Sequence, residues 1–235
     1  MLVFSNVQSL GIVEDGLDGI YAALLGAVGD EGTLIVPSFS YSFCRGEVYD
    51  HSATPSAVGV FSNHVLNKEG SVRSMHPNHS FAAVGAKATE VTHYVDKSSF
   101  GYGSVFTTML RYDVKVLSLG VITNTYVHYV EHLASVPYRY HKDFIGTIVH
   151  RSASYEDTFP MFVRDLERPG TEEEDRGFAR EQFFASGIST NLKFGYGIHR
   201  FFAADRYCDF MIDKVASDPY YLIDKAKYFS SEACP

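Results

Sequence analysis

Residues 114–132 read VKVLSLGVITNTYVHYVEH, and this stretch holds both halves of a fold-defining unit. Its first part, Val114–Val121, is a β-branched and leucine-rich run with the length of one buried strand rather than of a helix. Its second part, Thr125–His132, carries His128, Glu131 and His132 at spacings of three and four, which puts all three on one helix face. A strand that runs through a short loop into a helix delivers side chains to the carboxyl edge of an α/β sheet, where sites form. The face supports two chemistries. His-x-x-Glu supplies a general base and a carboxylate that orients it, while His-x-x-Glu-His also spells the inverted zinc-peptidase motif.

The same alternation extends outward in both directions. Met1 leads straight into the strand-like LVFSNV. Gly16–Val28 places Leu17, Ile20, Leu24, Leu25 and Val28 on a helical stripe. Thr33–Val36 and Ser80–Val84 are short buried strands, the first ended by Pro37. Thr54-Pro55 opens a helix, with Thr as N-cap and Pro at its first position. Ala86–Val95 forms another, and Ser104 caps a helix over Val105–Arg111. In Leu166–Arg180, Thr171 precedes the acidic run Glu172–Asp175, a solvated helix start favoured by the dipole or, alternatively, a cation-binding rim. Phe201–Val215 reads as the closing helix, and the tail after Asp224 as polar and mobile. No repeat or linker interrupts the chain, so residues 1–235 form one domain of the layered α/β class.

Composition narrows the function classes. A chain of 235 residues with 46% hydrophobic and 20% charged content buries a full core without metals or disulfides. No apolar run reaches the roughly 18 residues needed to span a bilayer, and no basic segment precedes a signal-like stretch, so a cytoplasmic protein is expected. Cys44, Cys208 and Cys234 are scattered without CxxC spacing and read as reduced thiols. The formal charge of −8 argues against nucleic acid as a partner. It suits a cationic substrate without singling one out. Tyr and Phe must supply any aromatic pocket wall, since Trp is absent.

Three further constellations could serve a site. RSMHPNHS (Arg73–Ser80) is a polar loop entering a strand, able to anchor a ligand through Arg73, His76 or His79, or else an ordinary loop shaped by Pro77. Gly101-Tyr102-Gly103-Ser104 lets backbone N–H groups approach an anion, although glycines punctuate most loops. PSFSY (Pro37–Tyr41) ends a strand with hydroxyls and rings that line a pocket or simply make a turn.

In combination, GTLIVPSFSY, SVRSMHPNHSFAAVGAKA, FGYGS and VLSLGVITNTYVHYVEH resemble the aminoglycoside 3-N-acetyltransferase family, from about Val3 to about Ile223. The most specific segments are Arg-x-x-His-Pro-x-x-Ser (Arg73, His76, Pro77, Ser80) and Thr-x-x-His-x-x-Glu (Thr125, His128, Glu131). The resemblance implies a three-layer α/β/α fold with a central mixed sheet. It implies direct transfer of acetyl from acetyl-coenzyme A to an amino group of an aminoglycoside or related amino sugar, with no metal. His128 would be the general base, Glu131 its support, and Thr125 would settle the thioester oxyanion. Coenzyme A would lie against Ser5, Asn6, Ser38, Phe39, Ser40, Gly103, Ser104 and Val105, and the acceptor against Tyr41, Arg73, His76 and His79. A homodimer fits the family. Phe4-Ser5-Asn6 stands where the family has His-Ser-Ser, and Tyr41 where aminoglycoside-modifying members often carry Trp. Two other readings stay open: a zinc hydrolase using His128, Glu131 and His132, and an inactive relative that binds a ligand without turnover.

Overall fold

The first half of the chain alternates short strands with helices: β1 (Leu2–Ser5), α1 (Gly16–Val28), β2 (Thr33–Pro37), β3 (Tyr49–Asp50), α2 (Val60–Leu66), β4 (Val72–Arg73), β5 (Phe81–Gly85), α3 (Ala88–Val91), α4 (Val105–Arg111), β6 (Lys115–Leu119) and α5 (Tyr126–Leu133). A long hairpin follows, β7 (Arg139–His150) and β8 (Ala153–Arg164). Then come α6 (Gly177–Ala185), a second hairpin of β9 (Thr190–Phe194) and β10 (Gly197–Ala203), α7 (Ala204–Ser217) and α8 (Lys225–Ser230). The computed structural model describes residues 1–122, 124–172 and 174–230.

Seven strands form one mixed sheet in the order β4-β5-β2-β1-β6-β10-β9. Its centre is parallel, with Leu2 level with Ile35 of β2 on one side and with Val116 of β6 on the other. The flanking pairs β2–β5 and β6–β10 are antiparallel. Side chains alternate across the sheet with a period of two. Leu2, Phe4, Ile35, Phe81 and Ala83 therefore enter the core built with α4, α5 and α7, and Val3, Leu34, Val36 and Ala82 enter the core built with α1 and α2. Burial of both faces makes the expected three layers, and each fully buried Leu or Ile contributes roughly 1.5–3 kcal/mol. The hairpin β7–β8 pairs with β3 in a separate sheet, anchored by a small cluster of Phe43, Tyr49, Ile148 and Phe159.

Helix α1, the strand over Thr33–Val36 and the helix over Val105–Arg111 fall where the periodicity placed them. Several boundaries move. Thr54 does not cap a helix: its Oγ1 accepts from the Asp50 N–H at 2.9 Å, and α2 begins only at Val60 after Gly59 at φ 124°. The helix expected over Ala86–Val95 shrinks to α3, because the Thr92 hydroxyl donates back to the Ala88 carbonyl at 2.8 Å and the chain turns away. Thr171 does not start a helix either: its hydroxyl donates to the Arg168 carbonyl, and α6 begins at Gly177. Phe201–Ala203 belong to β10 rather than to the closing helix. The tail forms α8, tied down by a Lys227–Asp175 ion pair. Cys44 and Cys208 are free thiols, while Cys234 and Glu173 lie outside the described residues.

Candidate active site

Helix α5 begins beside the carboxyl end of β6. Asn124 caps it, its Oδ1 accepting from the Tyr126 N–H at 3.0 Å. This Asx contact satisfies one of the orphan amides of the first turn, and Thr125 beside it lines a cavity. Tyr126, Val127, Tyr129 and Val130 bury the opposite face. What remains on the site face is His128, then Glu131 behind it.

Glu131 is fully buried and saturated with donors. Its Oε2 lies 2.8 Å from His128 Nδ1 and 2.8 Å from Arg139 Nε. Its Oε1 accepts from the Tyr138 hydroxyl at 3.1 Å and from Arg176 Nη2 at 3.1 Å. Burial alone would raise this carboxyl, but Arg176, Arg139 and His128 outweigh it and hold it well below the usual carboxylate range. A carboxylate only accepts hydrogen bonds, so Nδ1 of His128 must carry the proton. Arg139 Nη2, 3.1 Å from the same nitrogen, is then a neighbouring charge rather than a partner. Burial first, then Arg139, lowers the imidazole to about 4 despite the pull of Glu131. The product is a neutral imidazole of fixed tautomer with its Nε2 lone pair directed away from Glu131.

Two cavities meet at this ring. The narrower, about 310 Å³, runs along the carboxyl ends of β1 and β2 past Ser5, Phe39 and Thr125. The wider, about 820 Å³, lies between the body and the β7–β8 hairpin and includes Arg139, Lys142, Arg164 and Arg176. Tyr41, His79 and His128 line both. His79 is buried between Phe39 and Phe100, and its Nδ1 has no partner among the described residues.

Several other residues expected against ligands make hydrogen bonds within the protein. The Arg73 guanidinium is buried and donates to the carbonyls of Thr54 and Ser38 and to the Ser80 hydroxyl. It ties three loops together beneath the cavities. His76 is equally buried: its Nδ1 accepts the N–H groups of Asn78 and His79, and Nε2 meets Ser99 Oγ at 3.2 Å. Ser38 pairs with Ser80, and Ser40 with Ser42, so both hydroxyls of the PSFSY turn are engaged by serines outside it. The carbonyl of Asn6 accepts from Ser9, closing the turn after β1. Gly103 donates its N–H to Asp96 Oδ2 at 2.9 Å, so the glycine loop already holds an anion of its own chain. Ser104 and Val105 are buried at the start of α4 and line neither cavity.

Sequence reasoning did not single out Tyr138, Arg139, Lys142 or Arg176. His132 turns aside from His128, packing its ring edge-on against His141 and Phe162. Among the described residues, no three His, Cys, Asp or Glu side chains converge as ligands for a metal ion. No described helix is long and apolar enough to cross a membrane.

A family model described as aminoglycoside 3-N-acetyltransferase matches residues 2–216. Aminoglycoside N(3)-acetyltransferase IV from Salmonella sp. is 34% identical over 143 residues, covering 59% of this chain and 54% of the relative. The chain thus spans about half the length of the curated relatives it matches. Among solved structures, the apoenzyme of aminoglycoside acetyltransferase AAC(3)-IVa has a TM-score of 0.77 at 25% identity, over 94% of this chain and 83% of that one. A mutant of the same enzyme has been solved with apramycin, at a TM-score of 0.74. The complex of AAC-IIIb with CoASH has a TM-score of 0.81 at 24% identity, over 92% of this chain and 89% of that one, and shares the fold.

Proposed function

The chain belongs to the aminoglycoside 3-N-acetyltransferase family, and on that premise we propose that it transfers acetyl from acetyl-coenzyme A to an amino group of an aminoglycoside or related amino sugar. One observation carries this reading: a neutral histidine of fixed tautomer stands where two cavities of unequal size meet. Direct transfer between two substrates needs that arrangement, with the base reachable from both sides.

Among the described residues no Lys, Arg, Asp or Glu lines the narrower cavity, which is walled by Phe4, Pro37, Phe39 and Val58 together with Ser5 and Thr125. This lining fits an uncharged thioester arm. The thioester supplies an activated acetyl carbon: the amine nitrogen bonds to it as the carbon–sulfur bond breaks, and the sulfur leaves with the electron pair. His128 Nε2 takes the proton that the nitrogen sheds and returns it to the departing sulfur. A base near 4 does not strip a free alkylammonium, whose pKa lies near 10. It acts on the neutral amine as the nitrogen becomes acidic on bonding to carbon. Glu131, kept ionised by its two arginines, stabilises the imidazolium that forms. Thr125, which lines the narrower cavity, donates toward the thioester oxygen in this reading.

A thiol-release assay with acetyl-coenzyme A and a panel of amines tests the reading. Release that requires an amine and yields the N-acetyl product is the expected result. Coenzyme A binding with no turnover on any amine would instead indicate a ligand-binding relative.

A further inference from the structure

His79 and His128 line both cavities, and the two imidazoles are built in opposite ways. Glu131 fixes the His128 proton on Nδ1 and leaves Nε2 as an acceptor. His79 has no such director. Neither of its ring nitrogens meets a hydrogen-bond partner among the described residues; Nδ1 is closed off and Nε2 is left open. Its backbone is nonetheless held firmly. The His79 N–H donates to His76 Nδ1 at 3.0 Å, and the flanking carbonyls of Asn78 and Ser80 accept from Ser40 and Ser38 at 3.3 and 2.8 Å. Aromatic neighbours clamp the ring, with centroids 5.0 Å away at Phe39 and 4.7 Å away at Phe100. Phe100 also lies 5.5 Å from the His128 ring, so one side chain packs against both imidazoles. His76, three residues earlier and equally buried, engages both nitrogens within its own chain. A buried imidazole without a partner is uncommon, and this one lines the place where two substrates would meet.

Burial among the rings, then the neighbouring His76 and His128, hold His79 well below the usual imidazole range. Among the described residues no carboxylate bonds to it to support an imidazolium, so it stays neutral through the reaction. A neutral imidazole still has one N–H to give. A thioester oxygen offers only lone pairs, and its arrival selects the tautomer with the proton on Nε2. We propose that His79 is a catalytic residue whose Nε2–H donates to the thioester carbonyl oxygen while His128 serves as the base. This rests on the acetyl-transfer reading and adds to it a donor on a fixed ring. As the amine nitrogen bonds to the carbonyl carbon, the C=O electron pair moves onto oxygen, where the N–H meets it. The pair returns as the carbon–sulfur bond breaks, and His79 keeps its proton throughout. A donor clamped in place before the charge develops needs no reorganisation when it does.

The whole chain, mixed with acetyl-coenzyme A isotope-labelled at the carbonyl and with no acceptor, gives a readout independent of turnover. The infrared carbonyl band of the bound thioester should lie below that of the free thioester in the parent, and return toward the free position in His79→Phe. The phenyl ring fills the place of the imidazole without a donor, so the urea midpoint should hold or rise. With an amine that the parent acetylates, His79→Phe should lower kcat about 10²-fold or more, with KM for the amine and affinity for acetyl-coenzyme A changed less than about three-fold. His79→Gln restores an N–H donor and should recover at least about ten-fold of the lost rate. His79→Leu, likewise without a donor, stands in where His79→Phe folds poorly. A parent band at the free position overturns the proposal, as does a donor-free variant that keeps its kcat. A raised amine KM at unchanged kcat overturns it too, since His79 would then hold the acceptor. A band that depends on His79 without turnover on any amine keeps the donor and refutes acetyl transfer. Turnover with an unshifted band does the reverse.

Discussion

Arg176 Nη2 reaches Glu131 Oε1 at 3.1 Å across 45 residues of sequence, from the turn before α6 to the middle of α5. With Arg139 it forms a pair of guanidiniums around one fully buried carboxylate. The arrangement decides the protonation state of His128. Two cations hold Glu131 ionised, the ionised Glu131 holds the proton on Nδ1 of His128, and burial, then the Arg139 charge, keeps that ring neutral.

Arg176→Met should therefore weaken the fold as well as the site. It leaves a buried carboxylate with one cation fewer, and removing one partner of such a cluster costs about 3 kcal/mol. Urea unfolding at neutral pH should show a lower midpoint with an unchanged slope. A midpoint within error of the parent would mean that Arg139 and Tyr138 suffice to hold Glu131.

His128→Ala removes the proton acceptor without touching the lining of the narrower cavity beyond that ring. The expected loss is about 10²–10⁴ in kcat, with the acetyl-coenzyme A affinity retained. Steady-state kinetics and calorimetry on the same preparation check it. A variant that kept its rate at neutral pH would exclude His128 as the base.

The pH profile separates the two neighbours of the base. Burial and Arg139 place His128 at about 4, so the acidic limb of kcat/KM should lie near there rather than near 6.5. Glu131→Gln removes the group that favours the imidazolium and should move the limb lower, with a smaller rate loss than His128→Ala. Arg139→Met removes a group that opposes it and should move the limb higher. Shifts in the same direction for both variants would contradict the charge assignment.

The three layers and the His128–Glu131 pair were legible in the chain because they are written in local periods. Central strands are short continuous apolar runs, α1 keeps its helical stripe, and His128 and Glu131 sit one turn apart on one helix. The hairpin that closes the wider cleft was not legible. Its two-residue turn uses Arg151 and Ser152 at φ 47° and 66°, in place of the Asn-Gly pair that marks such turns. Pro160 also lies within β8, where a proline argues against a strand. Arg139 and Arg176 therefore had no local signal, since their partner is 8 and 45 residues away and only the assembled fold brings them to it. RSMHPNHS divides. Arg73 and His76 are turned inward on backbone and hydroxyls, while His79 reaches both cavities.

Arg73 tests that inward reading. Its guanidinium satisfies the buried Ser38 carbonyl, the partly buried Thr54 carbonyl and the buried Ser80 hydroxyl, and each buried acceptor left unpaired costs about 1–3 kcal/mol. Arg73→Met should lower the urea midpoint clearly while KM for the acceptor changes little among molecules that remain folded. A raised acceptor KM with an unchanged midpoint would return Arg73 to the substrate.

Acid should destabilise the protein earlier than its carboxylates alone predict. Burial lowers His76 to about 3 and, with Arg139, His128 to about 4, both below the unfolded value near 6.5. Between those limits the unfolded chain binds more protons than the native one, so stability rises with pH there. The contribution is complete above about 6.5 and is lost progressively as pH falls through the folded values. Glu131, held low by Arg176 and Arg139 against its burial, adds a loss of the same sign at still lower pH. His76 matters most for packing, because protonating Nδ1 removes the acceptor for two amides at the turn before β5. Urea midpoints should be flat from about pH 7 to 8 and decline steadily below about 6. His76→Asn should start from a lower midpoint and decline less steeply. A midpoint that stayed constant from pH 7 to 4.5 in the parent would show that neither histidine is held neutral by the fold.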